Sequence, residues 1–472
     1  HQQLSQPSAL QEAGAPEHVR RFMQALHTDT WFTIGDQADL VRTEQGSRPG
    51  DSYADVVFGL LWAKLLKTYE QRLVNAGLLS FISDIARPSL FTQDPTVHPQ
   101  IALLGPTWMD DLCVCLCAPS NDALVEKTGF ALSLLIDMCK SMHMQPNLRK
   151  GKTEIMFCFR GQGSRQFRRQ FYSHAQGFPV VCEDATHHVT VVSRYLHLGG
   201  VLHHRVVTRA EITRRLGIAH QAFSQHRRVL YRNLSLSWSK RKEIFCTLVL
   251  SKLVYGFESW TFETQQIRAQ IHAGIIKLYK RLLGHQHAMH LSDEAVLVET
   301  GLPSPTELLR GCRLRYFGTL FNCQNASHWG LLVEDRQWTA LLEDDFQWLW
   351  AQLKNNTNLP DPVSHFAVWQ DILIHHKGYW KKLIKKGLAH ACLQRENQAV
   401  AVQLHKRVAT LLYKHGWVSQ LPHEDVPAHP NIDTFGCMSC GTAHATKAGE
   451  SAHMFKRHGY QASARRLFDG TA

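Results

Sequence analysis

The stretch GPTWMDDLCVCL, residues 105–116, sets two carboxylates, Asp110 and Asp111, between an apolar run and an alternating one. QIALLG before it reads as one strand and LCVCLC after it as another, with WMDD at the bend of the hairpin they form. An isolated Asp-Asp pair ordinarily marks a solvated turn. A hairpin with a buried face is a different setting, because adjacent like charges there cost free energy unless a cation neutralises them. A divalent metal does so, and two carboxylate-bridged metals serve nucleotidyl transfer by activating a 3′-hydroxyl and stabilising the departing pyrophosphate. Cys113, Cys115 and Cys117 alternate and so share one strand face. They are expected to pack as small apolar groups rather than to bind metal.

Composition narrows the partners. The chain has 472 residues, enough for two or three domains with their own cores, and its 44% apolar content excludes disorder throughout. No apolar run is long enough to span a bilayer, so no membrane partner is expected. Lys and Arg outnumber Asp and Glu by 52 to 40, a formal charge of +12, which favours an acidic partner, most simply nucleic acid. The cations cluster in RQFRRQ (165–170), RRVLYR (227–232), KRK (240–242) and KKLIKK (381–386). The 12 cysteines are scattered, with a single CxxC at Cys437 and Cys440. That argues against a secreted disulfide framework and for a reducing compartment, nuclear or cytoplasmic. The chain begins at His1 with no signal-like start, and is expected to be part of a longer protein.

Patterning along the chain gives its organisation. Residues 1–16 are polar and small, an expected disordered start, and 17–26 carry a helical pattern. A turn-rich segment, 42–55, leads into a helix with Ala54, Val57, Phe58, Leu61 and Leu65 on one face, N-capped by Ser52 in a capping box with Asp55. A second helix carries Leu124, Thr128, Ala131, Leu135 and Met138. Residues 146–159 read as a basic loop running into a strand, and 191–202 as a strand with a Gly-Gly break. The chain then turns helical. Ile212, Leu216, Ala219 and Phe223 form one stripe, with Arg214, Arg215 and Arg228 on other faces. Ile267, Ile271, Ile275, Leu278 and Leu282 form another; further helices cover 303–320 and 338–350, with a break at 355–362 and a last helical block to about Trp417. The tryptophans of 320–430 are expected in a core. Residues 421–433 are a Pro-rich linker before a small module.

At this point the chain resembles a family. WMDD resembles the YxDD-type box of reverse transcriptases, most closely those of non-LTR (LINE-type) retrotransposons. Upstream, RTEQGSRPGDSYADVVF resembles the family's Gly-Asp-Pro/Ser segment; downstream, NLRKGKTEIMF resembles its Asn…Lys-Thr box and RYLHLGGVL its Leu-Gly primer grip. TRAEITRRLGIAHQAF and KRKEIFCTLVLSKLVYGFESW resemble its helical thumb, whose arginines suit a grip on duplex phosphates. The five segments stand in family order, and the likeness covers roughly residues 17–290. It implies an α+β fold: an incomplete palm sheet with flanking helices over 17–205, an all-α thumb over 206–320, and a helical connector over 321–420. The activity implied is RNA-directed DNA polymerisation, with RNA template, DNA primer and deoxynucleoside triphosphates as partners. By resemblance Asp110 and Asp111 hold Mg²⁺ or Mn²⁺, and Lys152 (or Lys150) assists at the phosphates. Gly50, Asp51 and Ser52 lie under the templating base, Asn147 and Thr153 beside the palm edge, and Leu198, Gly199 and Gly200 at the primer terminus. The family's third carboxylate, from an earlier strand, has no counterpart in Asp29, Asp36 or Asp39, so this chain alone is expected to be inactive. A non-enzymatic, nucleic-acid-binding remnant of a retroelement is the alternative.

The C-terminal module, 434–465, spaces Cys437, Cys440, His453 and His458 as C-x2-C-x12-H-x4-H. This spacing fits a tetrahedral Zn²⁺ site, and the module resembles a C2H2 zinc finger, ββα in outline. His444 and Glu450 stand where the finger's apolar core usually lies, so Phe435, Met454, Phe455 and Tyr460 would supply that core, and His444 could compete as a ligand.

Overall fold

The structure is a computed structural model describing residues 10–11, 14–27, 31–33, 40–42, 52–85, 90–91, 98–105, 107–108, 111–142, 144–173, 177–205, 207–262, 264–321, 326–415, 435–436 and 443–444. The fold is α+β, with short strands in the first half and helices thereafter. The chain forms two compact units, His1–Arg395 and Glu396–Ala472.

In the first unit the helix Ser52–Asn75 buries Leu65, Tyr69 and Leu73, spaced four apart on one face. They meet Ala131, Met138 and Cys139 of the helix Asn121–Ser141, and the Tyr69 hydroxyl donates to the Ala131 carbonyl at 2.8 Å. The expected stripe on the first helix therefore runs one turn further along: Leu65 is buried, but Phe58 is exposed and stacks on Trp62. The second helix starts at the cap Ser120, whose hydroxyl accepts from the Ala123 N–H. It has two apolar faces. Its Ile136 enters a separate core with Ile155, Phe157, Phe159, Phe178, Val180 and Val189. That core lies on a three-stranded sheet, β7 (Glu154–Ile155), β9 (Thr186–Val191) and β8 (Phe178–Val181), parallel between β7 and β9 and antiparallel between β9 and β8. Within the expected disordered start, Leu10 is buried with Met23 of the helix Glu17–His27. A short antiparallel pair, β1 (Trp31–Thr33) with β2 (Leu40–Arg42), follows and was not signalled by the alternation in the sequence.

The remaining strands pair in twos. β3 (Ser80–Ser83) joins β4 (Gln100–Leu103), β5 (Thr107–Trp108) joins β6 (Asp111–Leu112), and β10 (Arg194–His197) joins β11 (Gly200–His203), all antiparallel. The expected strand over 100–105 is thus divided. Its first four residues pair back to β3, and the chain redirects at Gly105 into the WMDD hairpin. Gly105 has φ +131°, and a Cβ there would stand 1.9 Å from the Cys113 carbonyl oxygen, so only glycine lets the two arms approach. The break expected in the 191–202 segment is the turn of a hairpin, at Leu198 and Gly199.

The helices Arg209–His226, Trp238–Phe245 and Gln265–Leu283 share a third core. Ile212, Ala219, Phe223, Ile271, Ile275, Leu278 and Leu282 are buried in it, as their spacing predicts, together with Phe245. The helix Pro305–Leu320, opened by a Ser304–Glu307 capping box, gives Leu309 to this core and Leu314 and Phe317 to a fourth. That fourth core also takes Trp338 and Phe346 from Arg336–Leu353, Trp369 from Phe366–His375 and Trp380 from Lys377–Lys414. The indole N–H groups of Trp338 and Trp380 donate to the carbonyls of Glu258 and Leu314 at 2.8 and 3.0 Å. These tryptophans are core residues, as expected. A buried Arg313–Asp345 pair, bidentate at 2.7 and 2.9 Å, ties two of the helices together.

The Glu396–Ala472 unit contains the end of the Lys377–Lys414 helix and a hairpin of β12 (Phe435–Gly436) with β13 (Ala443–His444). Cys437 and Cys440, which fall between the two strands in sequence, and His453 and His458 are outside the described residues. No described helix is long and apolar enough to cross a membrane.

Candidate functional site

The two arms of the WMDD segment pair antiparallel. Trp108 pairs with Asp111, and the same register extends to the Cys115 N–H, which donates to the Leu104 carbonyl at 3.0 Å. Leu112, Val114 and Leu116 are half-buried against the core of the two long helices. Alternation then turns Asp111 outward, with Cys113 half-buried and Cys115 and Cys117 exposed on the same face. The expectation that the thiols are buried is therefore corrected: the branched and longer chains Leu, Val and Leu take the core side, leaving cysteine the other. A hydrogen bond with Cys115 lowers the pKa of the Cys113 thiol, against the opposite pull of burial. Asp111 is exposed, and its carboxylate makes no hydrogen bond or ion pair with another described residue. A free carboxylate of this kind is a fitting donor for a hard divalent cation. Asp110, Gly50 and Asp51 lie outside the described residues; Ser52 is the first residue of its helix. Among the described residues no group of three His, Cys, Asp or Glu side chains is placed to hold a metal ion.

The basic loop after Pro146 is closed on itself. The Asn147 side chain accepts from the Arg149 N–H at 3.2 Å, and its carbonyl accepts from the Thr153 N–H at 3.0 Å. Glu154 accepts from the Gly151 N–H at 2.7 Å. Asn147 and Thr153 thus shape the loop, while the Lys152 side chain is exposed on it, as is Lys150. The Lys152 carbonyl accepts a hydrogen bond at 2.9 Å from the hydroxyl of Tyr195, on β10. Burial raises the Tyr195 pKa, and the nearby charges of Asp111, Glu154 and the Cys113 thiol add to that rise. The phenol on β10 therefore hydrogen-bonds the lysine loop and lies near enough to Asp111 to feel its charge.

The tip of that last hairpin is held from the helical side. Leu198 has φ +46°, which is strained for a γ-branched residue, and Gly199 has φ +79°, which glycine adopts freely. The Tyr255 hydroxyl donates to the Leu198 carbonyl at 2.6 Å. Arg214 donates to the Gly199 carbonyl at 2.9 Å, and Arg215 donates to the same oxygen while pairing with Glu211. The second carboxylate oxygen of Glu211 accepts from the Val201 N–H at 2.8 Å, and the Arg215 guanidinium lies 4.3 Å from the Tyr255 ring centroid. Arg215 was expected on a face free for phosphates; it is 6% exposed and spent on this contact. Of the two adjacent glycines only Gly199 needs its residue type, since a Cβ on Gly200 would meet nothing closer than 3.6 Å. The Leu198 side chain remains exposed at the tip.

Tyr195, Tyr255 and Glu211 were not singled out from the sequence. Glu211 with Arg215 has the i,i+4 spacing of a helical ion pair and was legible; nothing local marks Tyr255. No protein-family model, curated protein or solved structure matches this chain.

Proposed function

We propose that residues 17–320 are the palm and thumb of a non-LTR-type reverse transcriptase, followed by a helical connector and a zinc-binding module that contacts nucleic acid. The observation carrying this proposal is the convergence at Tyr195. Three segments that resemble separate boxes of the family, far apart in sequence, come near one phenol: Tyr195 on β10 donates to the Lys152 carbonyl and lies within the electrostatic reach of Asp111. Asp111, with Asp110 next to it in sequence, would hold Mg²⁺ or Mn²⁺; when bound, the metal supplies charge neutralisation at a triphosphate and a more acidic primer hydroxyl. The Lys152 ammonium, exposed on its closed loop, would draw in the triphosphate. Leu198, held outward at a clamped tip, would pack on the primer terminus. In the second unit, Cys437, Cys440, His453 and His458, spaced C-x2-C-x12-H-x4-H, would bind Zn²⁺; the two cysteines fall in sequence between the paired strands β12 and β13.

The test is primer extension on an RNA template by the longest polypeptide that carries these residues. Asp110→Asn and Asp111→Asn should each lower incorporation at least about 100-fold, a loss of roughly 2.7 kcal/mol in transition-state stabilisation. Undiminished incorporation in either variant would remove the polymerase assignment. A non-enzymatic remnant would instead bind a primer–template duplex with no incorporation in any variant. For the module, Cys437→Ser should eliminate the stoichiometric zinc measured by elemental analysis.

A further inference from the structure

The helix Arg209–His226 runs into a π-helical turn, Arg227–Tyr231, closed by the Arg232 N–H donating to the Arg227 carbonyl at 2.9 Å. A π turn adds a residue to the ladder and re-aims the side chains around it, and such turns recur at functional sites. Here Arg227, Arg228 and Arg232, all exposed, surround a pocket of about 660 Å³ completed by Arg241 and His285. That volume is in the range of small-ligand sites. No carboxylate is among the lining residues, so nothing in the pocket wall neutralises four guanidinium groups. Arg232 crosses Gly284, where a Cβ would stand 3.2 Å from the guanidinium carbon.

Two buried donors at the pocket also lack acceptors. Tyr231 is 1% exposed, and its hydroxyl has no hydrogen-bond partner. Arg241 donates from Nη1 to the Tyr231 carbonyl at 3.4 Å and lies 5.2 Å from the Trp238 ring centroid, yet its buried Nε is unpartnered. Burial pushes the Tyr231 phenol up to about 12, which keeps it a donor at neutral pH. Orphaned buried donors are costly, and an acceptor-only group of high negative charge relieves them.

We propose that this pocket binds a terminal phosphate, either the phosphomonoester end of a nucleic-acid strand or the polyphosphate of a free nucleotide. A terminal phosphate carries up to two charges and can enter a concave site end-on, whereas an internal phosphodiester carries one and continues in both directions. Arginine forks match its oxygens bidentately. None of the residues involved belongs to the Asp111 site, so the inference stands apart from the polymerase proposal.

The experiment uses the full chain and a labelled single-stranded oligonucleotide bearing either a 5′-phosphate or a 5′-hydroxyl, with pyrophosphate and a nucleoside triphosphate as competitors. The 5′-phosphate should strengthen binding about tenfold. If instead the triphosphate competes while both strand ends bind alike, the ligand is the free polyphosphate. The double variant Arg227→Ala, Arg228→Ala should abolish whichever preference is seen. Tyr231→Phe should weaken it severalfold without lowering the thermal midpoint of the free protein, a pattern that a hydroxyl serving only the fold would not give. Equal binding of both strand ends with no competition by either polyphosphate would overturn the proposal, as would a preference that survives the double variant.

Discussion

Two sets of arginines lie within twenty residues of each other along one helical stretch and have opposite fates. Arg214 and Arg215 are drawn into the hairpin tip, where Glu211 supplies the opposing charge and the Gly199 carbonyl accepts a hydrogen bond from each. Arg227, Arg228 and Arg232 stand in solvent around a pocket without a carboxylate. The first set fixes one part of the protein to another; the second is available to a ligand. A count of basic residues cannot separate the two, because availability depends on what the fold places opposite each cation.

Mutations should expose that contrast. The largest effect is expected at the clamp. Glu211→Ala leaves Arg215 buried without its partner and the Val201 N–H without an acceptor, and should cost about 3–5 kcal/mol in denaturant unfolding. A loss below about 1 kcal/mol would mean that the clamp contributes little. Leu198→Asn converts the tip to Asn-Gly, the sequence preferred for a two-residue hairpin turn, and should stabilise the fold by about 1 kcal/mol. Weaker binding of a primer–template duplex by the same variant would show that the strained leucine is kept for contact rather than for folding. At the pocket, Arg227→Ala and Arg228→Ala should each shift stability by no more than about 0.5 kcal/mol, since neither side chain is buried. A larger loss would place them with the clamp after all.

Much of this organisation was legible locally. The Asp-Asp bend flanked by apolar residues marked a hairpin, and the stripes Ile212–Phe223 and Ile267–Leu282 named helix faces that are buried. Failures came where two elements compete for one segment. Residues 100–105 look like a hairpin arm, yet β4 pairs with β3, because Gly105 redirects the chain after it. The alternating CVCLC could present either face to the core, and the larger side chains of Leu112, Val114 and Leu116 decided it. Around the site, Asp111 and Lys152 were marked by motif, whereas Tyr195 and Tyr255 act through hydrogen bonds to carbonyls more than forty residues away.

Periodicity, turn chemistry and cap residues determined from the sequence alone where the helices and the aspartate bend lie, because each depends on neighbours within a few positions. Which cations are free, which thiols face out, and which distant loops come near one phenol were decided only by tertiary structure. Those outcomes depend on the charge, volume and hydrogen-bonding capacity that packing brings across from remote parts of the chain.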